Sequence, residues 1–207
     1  GRGLADCAST LDINAIQHDV AMGGMTAIYG IGITTITMMG YAVLAALPAF
    51  NRSVHPSGYL LLSQFSAYVA LEYVEPDRIV TVGSIIGTVP SDSSFARLTQ
   101  GDRLTVNGLI IAMMLPSGGD AARTLAVEVG RILAEDESIT EWSAMERFVE
   151  EMNRRAAELG MDGTHFVNPD GYHHEDHYTC LNDLLTIGKL SMENDLIRTI
   201  SGMKKAT

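Results

Sequence analysis

Apolar and polar positions fall into two regimes along this chain. Residues 20–51 contain no charged side chain, whereas from Ala67 onward apolar positions recur at helical spacing and are broken by polar turns. In the second regime, Ala67 to Tyr73 reads as the end of a helix stopped ahead of Pro76, because a residue before proline avoids the α region. The short β-branched run 78–82 predicts a strand. Thr105 is placed to cap a helix over 106–115 whose apolar surface runs almost all round and must be buried. Pro116 and Gly118 end it. A helix over 120–134 follows, with Asp120 placed to satisfy free N–H groups at its start and Ala122, Leu125, Val129 and Ile132 as its core face.

The stretch 141–159 gives the clearest helical period. Trp142, Met145, Phe148, Val149, Met152, Ala156 and Leu159 fall at steps of three and four and predict one apolar stripe. On the other face, Glu150 with Arg154 and Glu151 with Arg155 are expected i,i+4 pairs, and Gly160 suits a left-handed residue after the helix. Thr179 is expected to cap a last helix through Leu190.

The first regime is a Gly-, Thr- and Met-rich apolar run over residues 25–50, longer than the roughly 20 residues that cross a bilayer. It is a candidate export signal or membrane anchor. Only Arg2 precedes it and Asp6, Asp12 and Asp19 oppose it, so the positive start of a secretory signal is missing. Residues 1–66 are therefore expected to form an atypical N-terminal segment, distinct from the helically patterned domain over 67–207.

Composition narrows the picture further. With 207 residues, 46% hydrophobic and 19% charged, one packed core is expected. A formal charge of −11 argues against nucleic acid as a partner, since phosphate binding needs clustered Lys and Arg. Cys7 and Cys180 are too far apart for a Cys-x-x-Cys site and leave open a single bridge or two inert thiols.

Two loops carry candidate chemistry. In Pro116-Ser117-Gly118-Gly119-Asp120-Ala121-Ala122 a serine projects from a tight turn between two apolar helices. Asn168-Pro169-Asp170-Gly171 follows the long amphipathic helix. A turn serine alone is usually a cap or turn former. The wider run, Leu104-Thr105-Val106-Asn107-Gly108-Leu109 leading to Met114-Leu115-Pro116-Ser117-Gly118-Gly119-Asp120, resembles the second signature of the penicillin-binding D-alanyl-D-alanine carboxypeptidases. Phe148 to Asn153, Glu158 to Met161, Thr164 to Gly171, His177-Tyr178-Thr179 and Asp183-Leu184 match the same family in order and spacing. The resemblance covers about residues 67–207.

That resemblance implies an α+β fold of the serine β-lactamase and D,D-peptidase type, of which this chain supplies mainly the helical part. It implies a serine-type carboxypeptidase that attacks the terminal D-Ala-D-Ala bond of peptidoglycan stem peptides, with β-lactams as ligands, a place in the cell envelope outside the cytoplasmic membrane, and no cofactor. Such enzymes combine a Ser-x-x-Lys nucleophile, a Ser-x-Asn loop and a Lys-Thr-Gly strand. Ser117 takes the loop-serine role, a catalytic proton relay. Gly119 takes the substrate-binding position at which the family usually offers an asparagine amide.

Two of the three motifs are not found. Counting back from Glu72, Ser-x-x-Lys would fall at 60–63, but Leu60 has no hydroxyl and Ser63 no amine. The only lysines are Lys189, Lys204 and Lys205. Ser201-Gly202-Met203-Lys204 fits the letters but follows the Ser117 loop instead of preceding it. Codons compatible with residues 59–66, read two bases out of phase, permit Ser-Thr-Thr-Lys, so a misread segment before Ala67 is one expectation. An incomplete, inactive chain, or a non-catalytic peptidoglycan- or penicillin-binding module, is the other. The cluster His173, His174, Glu175, Asp176 and His177, with His165, invites a zinc reading, but adjacent loop positions lack the His-x-x-x-His helix geometry, so no metal is expected.

Overall fold

A computed structural model of the chain describes residues 57–203. The candidate membrane run at 25–50 lies outside them, and among the described residues no helix is long and apolar enough to cross a membrane.

Helix α1 (Ser57–Ala70) leads into strand β1 (Ile79–Thr81), and a 3-10 turn (Ser84–Thr88) follows. Strand β2 (Arg103–Thr105) pairs antiparallel with β1, Ile79 opposite Thr105 and Thr81 opposite Arg103. The rest is helical: α2 (Val106–Met114), α3 (Gly119–Ala134), α4 (Glu141–Glu158), α5 (Leu181–Glu193) and α6 (Asp195–Ser201). This is the α+β class expected, with the helical portion dominant.

The core forms where α1, α2 and α4 close around α3. Phe65 from α1, Leu109, Ile110 and Met113 from α2, Leu125 and Val129 from α3, and Phe148 and Met152 from α4 are all shielded from solvent. The expected face of α3 is too narrow, because Ile132 is only half-buried while Ala121, Thr124, Ala126, Val127 and Gly130 are buried as well. A helix packed on several sides needs more than one stripe. Gly130 permits the closest approach: a Cβ built there would lie 1.8 Å from the Ala144 carbonyl oxygen, so α3 and α4 touch backbone to backbone.

Local signals hold where the partners are close in sequence. Thr105 accepts the Gly108 N–H at 3.0 Å, and Gly160 sits at φ 71° just past α4. Longer-range competition changes others. Trp142 opens the α4 stripe but stays 51% exposed, its indole Nε1 donating to Glu146 at 2.8 Å. Arg154 bridges Glu151 and Glu158, while Arg155 reaches Glu72 and Glu158, so neither expected i,i+4 pair forms. Tyr73 donates to Glu151 and diverts that carboxylate. Thr179 bonds across to Thr164 at 2.8 Å, and the cap position of α5 falls to Cys180, which is not a free thiol.

Candidate active site

The Ser117 turn is built by three constraints. Helix α2 runs out at Met114, and Pro116 cannot continue it. Ser117 then adopts φ 58°, a left-handed conformation costly for a residue with a Cβ and most often kept at sites where the surroundings over-determine it. Gly118 follows because a Cβ there would sit 2.6 Å from the Ala112 carbonyl oxygen and 2.8 Å from Ala96. Ser117 is thus partly exposed at the tip of a turn, with buried Gly118 and Gly119 behind it.

A neighbouring loop braces the turn. The Gly119 N–H donates to the Ser94 carbonyl at 2.9 Å, and the Gly118 N–H donates to Ala112 at 3.2 Å. Asp120, only 1% exposed, directs one carboxylate oxygen to the Ala96 N–H and the other to the Leu98 N–H, each at 2.9 Å. Between those two amides Arg97 is held at φ 65°. The sequence expectation for Asp120 therefore needs correction. Its carboxylate does accept the Ala121 N–H in the first turn, at 3.0 Å, but its main work is to pin residues 96–98 against the start of α3.

The second loop arrives from the other side. Ser66 of α1 donates to the Pro169 carbonyl at 2.7 Å. Asp170 forms an ion pair with Arg123 of α3, Nε to Oδ2 at 3.0 Å, with side chains only 8% and 2% exposed. Asn168 donates to the Tyr172 carbonyl, and Tyr172 donates to Asp92 at 2.9 Å, which ties this turn back to the brace before the serine turn. The two sequence loops, 116–122 and 168–171, thus meet at α3. Their link, Arg123 to Asp170, leaves no local signal in the sequence because 47 residues separate the partners.

The positions where Ser-x-x-Lys would fall lie on α1. Ser63 is 2% exposed, and α1 packs against α2 and α3. A small cleft lined by Val80, Gly83, Thr124, Arg131 and Glu141 opens elsewhere, on the β1 side of α3, and Ser117 is not among its walls.

The histidine-rich loop does not assemble a metal site. Among the described residues no group of three or more His, Cys, Asp or Glu side chains is arranged to hold a metal. His165 turns Nδ1 to the Asp176 carbonyl at 2.7 Å and its backbone bridges to Tyr178. His177 is buried edge-on against Phe166, ring centres 5.7 Å apart, with neither nitrogen hydrogen-bonded. Burial, aided by repulsion from His165, His174 and His173, lowers its pKa to about 4. It is a neutral packing residue at neutral pH.

A profile of the D-alanyl-D-alanine carboxypeptidase family matches residues 61–207, the span that carries both loops and the helices between them. The chain belongs to that family. Two curated relatives are similar in part: a D-alanyl-D-alanine carboxypeptidase of Streptomyces sp. strain K15 is 35% identical over 120 residues, which is 58% of this chain and 39% of that protein. D-alanyl-D-alanine carboxypeptidase DacF of Bacillus subtilis strain 168 is 29% identical over 105 residues, 51% of this chain and 24% of that one. The chain spans less than half the length of these carboxypeptidases. Among solved structures, the crystal structure of the Streptomyces K15 DD-transpeptidase superposes with TM-score 0.61 at 32% identity, covering 68% of this chain and 53% of that one. A D-alanyl-D-alanine carboxypeptidase from Mycobacterium tuberculosis H37Rv shares the fold, with TM-score 0.59 at 24% identity over 70% of this chain and 50% of its own. The α+β D,D-peptidase fold expected from the loops is the fold observed.

Proposed function

We propose that this chain forms the serine-loop wall of a serine-type D-Ala-D-Ala carboxypeptidase cleft that receives peptidoglycan stem peptides outside the cytoplasmic membrane. The observation that supports this most is the Ser117 turn. A serine stands at the tip of a left-handed turn whose next two amides, of Gly118 and Gly119, donate to Ala112 and Ser94, while Asp120 pins the neighbouring residues 96–98. A site that moves a proton needs such fixed geometry, because misplacement by about 1 Å costs about a hundredfold in rate. In this reading Ser117 relays the proton between the attacking group and the leaving amine. Gly119 stands where the substrate amide is held and contributes only backbone. β-Lactams, which mimic the stem terminus, occupy the same cleft.

A second reading is supported by α1. With Leu60 and Ser63 at the positions of the acyl-forming serine and its lysine, this chain binds the stem terminus without cutting it, as a peptidoglycan- or penicillin-binding module. A fluorescent β-lactam and a D-alanine release assay separate the two. Covalent labelling abolished by denaturing the protein first, with D-alanine released from a D-Ala-D-Ala peptide, supports the enzyme. Reversible binding without labelling supports the module. Neither binding nor labelling by folded protein defeats both.

A further inference from the structure

Arg123 and Asp170 form a buried ion pair that nothing in the proton-relay chemistry uses. Taking two charges out of water carries a large desolvation cost, and apolar residues of similar volume often serve a core equally well. The pair therefore calls for a reason beyond stability, and its surroundings supply one. Arg123 lies four residues after Gly119, on the same face of α3. Its Nη1 donates to both the carbonyl and the hydroxyl of Thr88, at 2.8 and 2.7 Å, while its Nε holds Asp170. The Asp170 carboxylate in turn borders the space beside Gly119: a Cβ built there would lie 3.1 Å from Oδ2, 3.2 Å from Val89 and 3.4 Å from the Ser93 hydroxyl. One guanidinium thus bonds both Asp170 and Thr88, and with Val89 and Ser93 these neighbours form a ring around the space beside Gly119. The other carboxylate oxygen of Asp170 is buried with no hydrogen-bond partner, so its place in that ring depends on Arg123.

We propose that Arg123 is a positioning residue for the Ser117 turn, acting through the Asp170 carboxylate and Thr88 to fix the backbone at Gly118 and Gly119. The same ring explains the glycine at 119. A side chain there would push on the ion pair, so in this chain a buried charge pair sets the geometry at a position where the related family places an amide. The consequence for binding rests on the proposed D-Ala-D-Ala cleft, whereas the consequence for the turn does not.

The test separates positioning from simple packing. Arg123→Met alone strands a buried carboxylate, and global stability falls. The double variant Arg123→Met with Asp170→Leu replaces both charges by apolar groups, and its melting temperature recovers toward that of the unaltered chain. Positioning predicts that amide hydrogen exchange at Gly118 and Gly119 in this folded double variant stays at least tenfold faster than in the unaltered chain. Protection of those two amides equal to that of the unaltered chain overturns the inference. Arg123→Lys provides a second arm: one ammonium lacks the fork that spans Asp170 and Thr88, so exchange at the same amides rises with little change in melting temperature, and unchanged exchange again overturns the inference. Affinity for a tripeptide ending in D-Ala-D-Ala should fall about tenfold in both variants. If the unaltered chain does not bind that peptide but the exchange pattern is as predicted, the cleft reading fails and the positioning role stands.

Discussion

Replacing Asp120 by asparagine changes one atom and tests how the serine turn is held. In the structure each carboxylate oxygen accepts one loop amide, from Ala96 and Leu98, both at 2.9 Å, in a side chain 1% exposed. Asparagine keeps an oxygen for one of these amides and turns an NH2 group toward the other. One hydrogen bond to a charged acceptor is lost, worth about 1.5–3 kcal/mol, and one buried donor then faces another donor, costing about 1–3 kcal/mol more. Together these come to about 2.5–6 kcal/mol, a large share of the roughly 5–15 kcal/mol that holds a typical domain together. For a domain of this size that corresponds to a fall in melting temperature of about 5–24 °C. Local loosening should exceed the global effect, because Arg97 is exposed and keeps its left-handed conformation between those two amides. Limited trypsinolysis should therefore cut after Arg97 many times faster in Asp120→Asn than in the unaltered chain at a temperature where both are folded. A melting temperature within about 2 °C of the unaltered chain, together with an unchanged cleavage rate at Arg97, would refute the bracing argument.

Gly130→Ala should be severe, since its Cβ would fall 1.8 Å from the Ala144 carbonyl oxygen and force α3 and α4 apart. A loss of about 3 kcal/mol or more by urea denaturation is expected, at the upper end of overpacking costs, and a loss below about 1 kcal/mol would mean that the helices separate freely. The pH dependence of stability should carry a contribution from His177. Its pKa is lowered to about 4 in the folded chain against about 6.5 unfolded, so the unfolded state takes up the proton first. That contribution is intact above about pH 6.5 and lost as pH falls toward 4, up to about 3 kcal/mol. His177→Leu should flatten the stability profile between those values relative to the unaltered chain, and parallel profiles would contradict it.

How much of this was legible in the sequence depended on distance along the chain. Thr105, Pro116 and Gly160 act within four residues, so their caps and stops could be read directly. The α4 stripe was visible as a period, yet Trp142 escaped burial because a period says which face is apolar, not how far the neighbouring helices extend to cover it. Charge pairing escapes the local pattern for the same reason: Glu72 and Tyr73, in the turn just past α1, compete for Arg155 and Glu151 and break the local pairs. At the site, the serine turn was legible as a motif, but what holds it was not. Asp120 was assigned to its own helix, although its two strongest partners lie 22 and 24 residues upstream. The Arg123–Asp170 pair joins two loops that the sequence displays separately, and only folding shows that they touch.

A D,D-peptidase-type cleft requires that the Ser117 turn face the stem terminus. The most direct measurement is a titration of the 15N-labelled chain with a tripeptide ending in D-Ala-D-Ala, following the amide signals of Ser117, Gly118 and Gly119, with the L-Ala-L-Ala peptide as control. Saturable shifts at these three amides with the D,D peptide and none with the L,L peptide are predicted. Absence of shifts at the turn, or equal shifts with both peptides, would contradict the central claim.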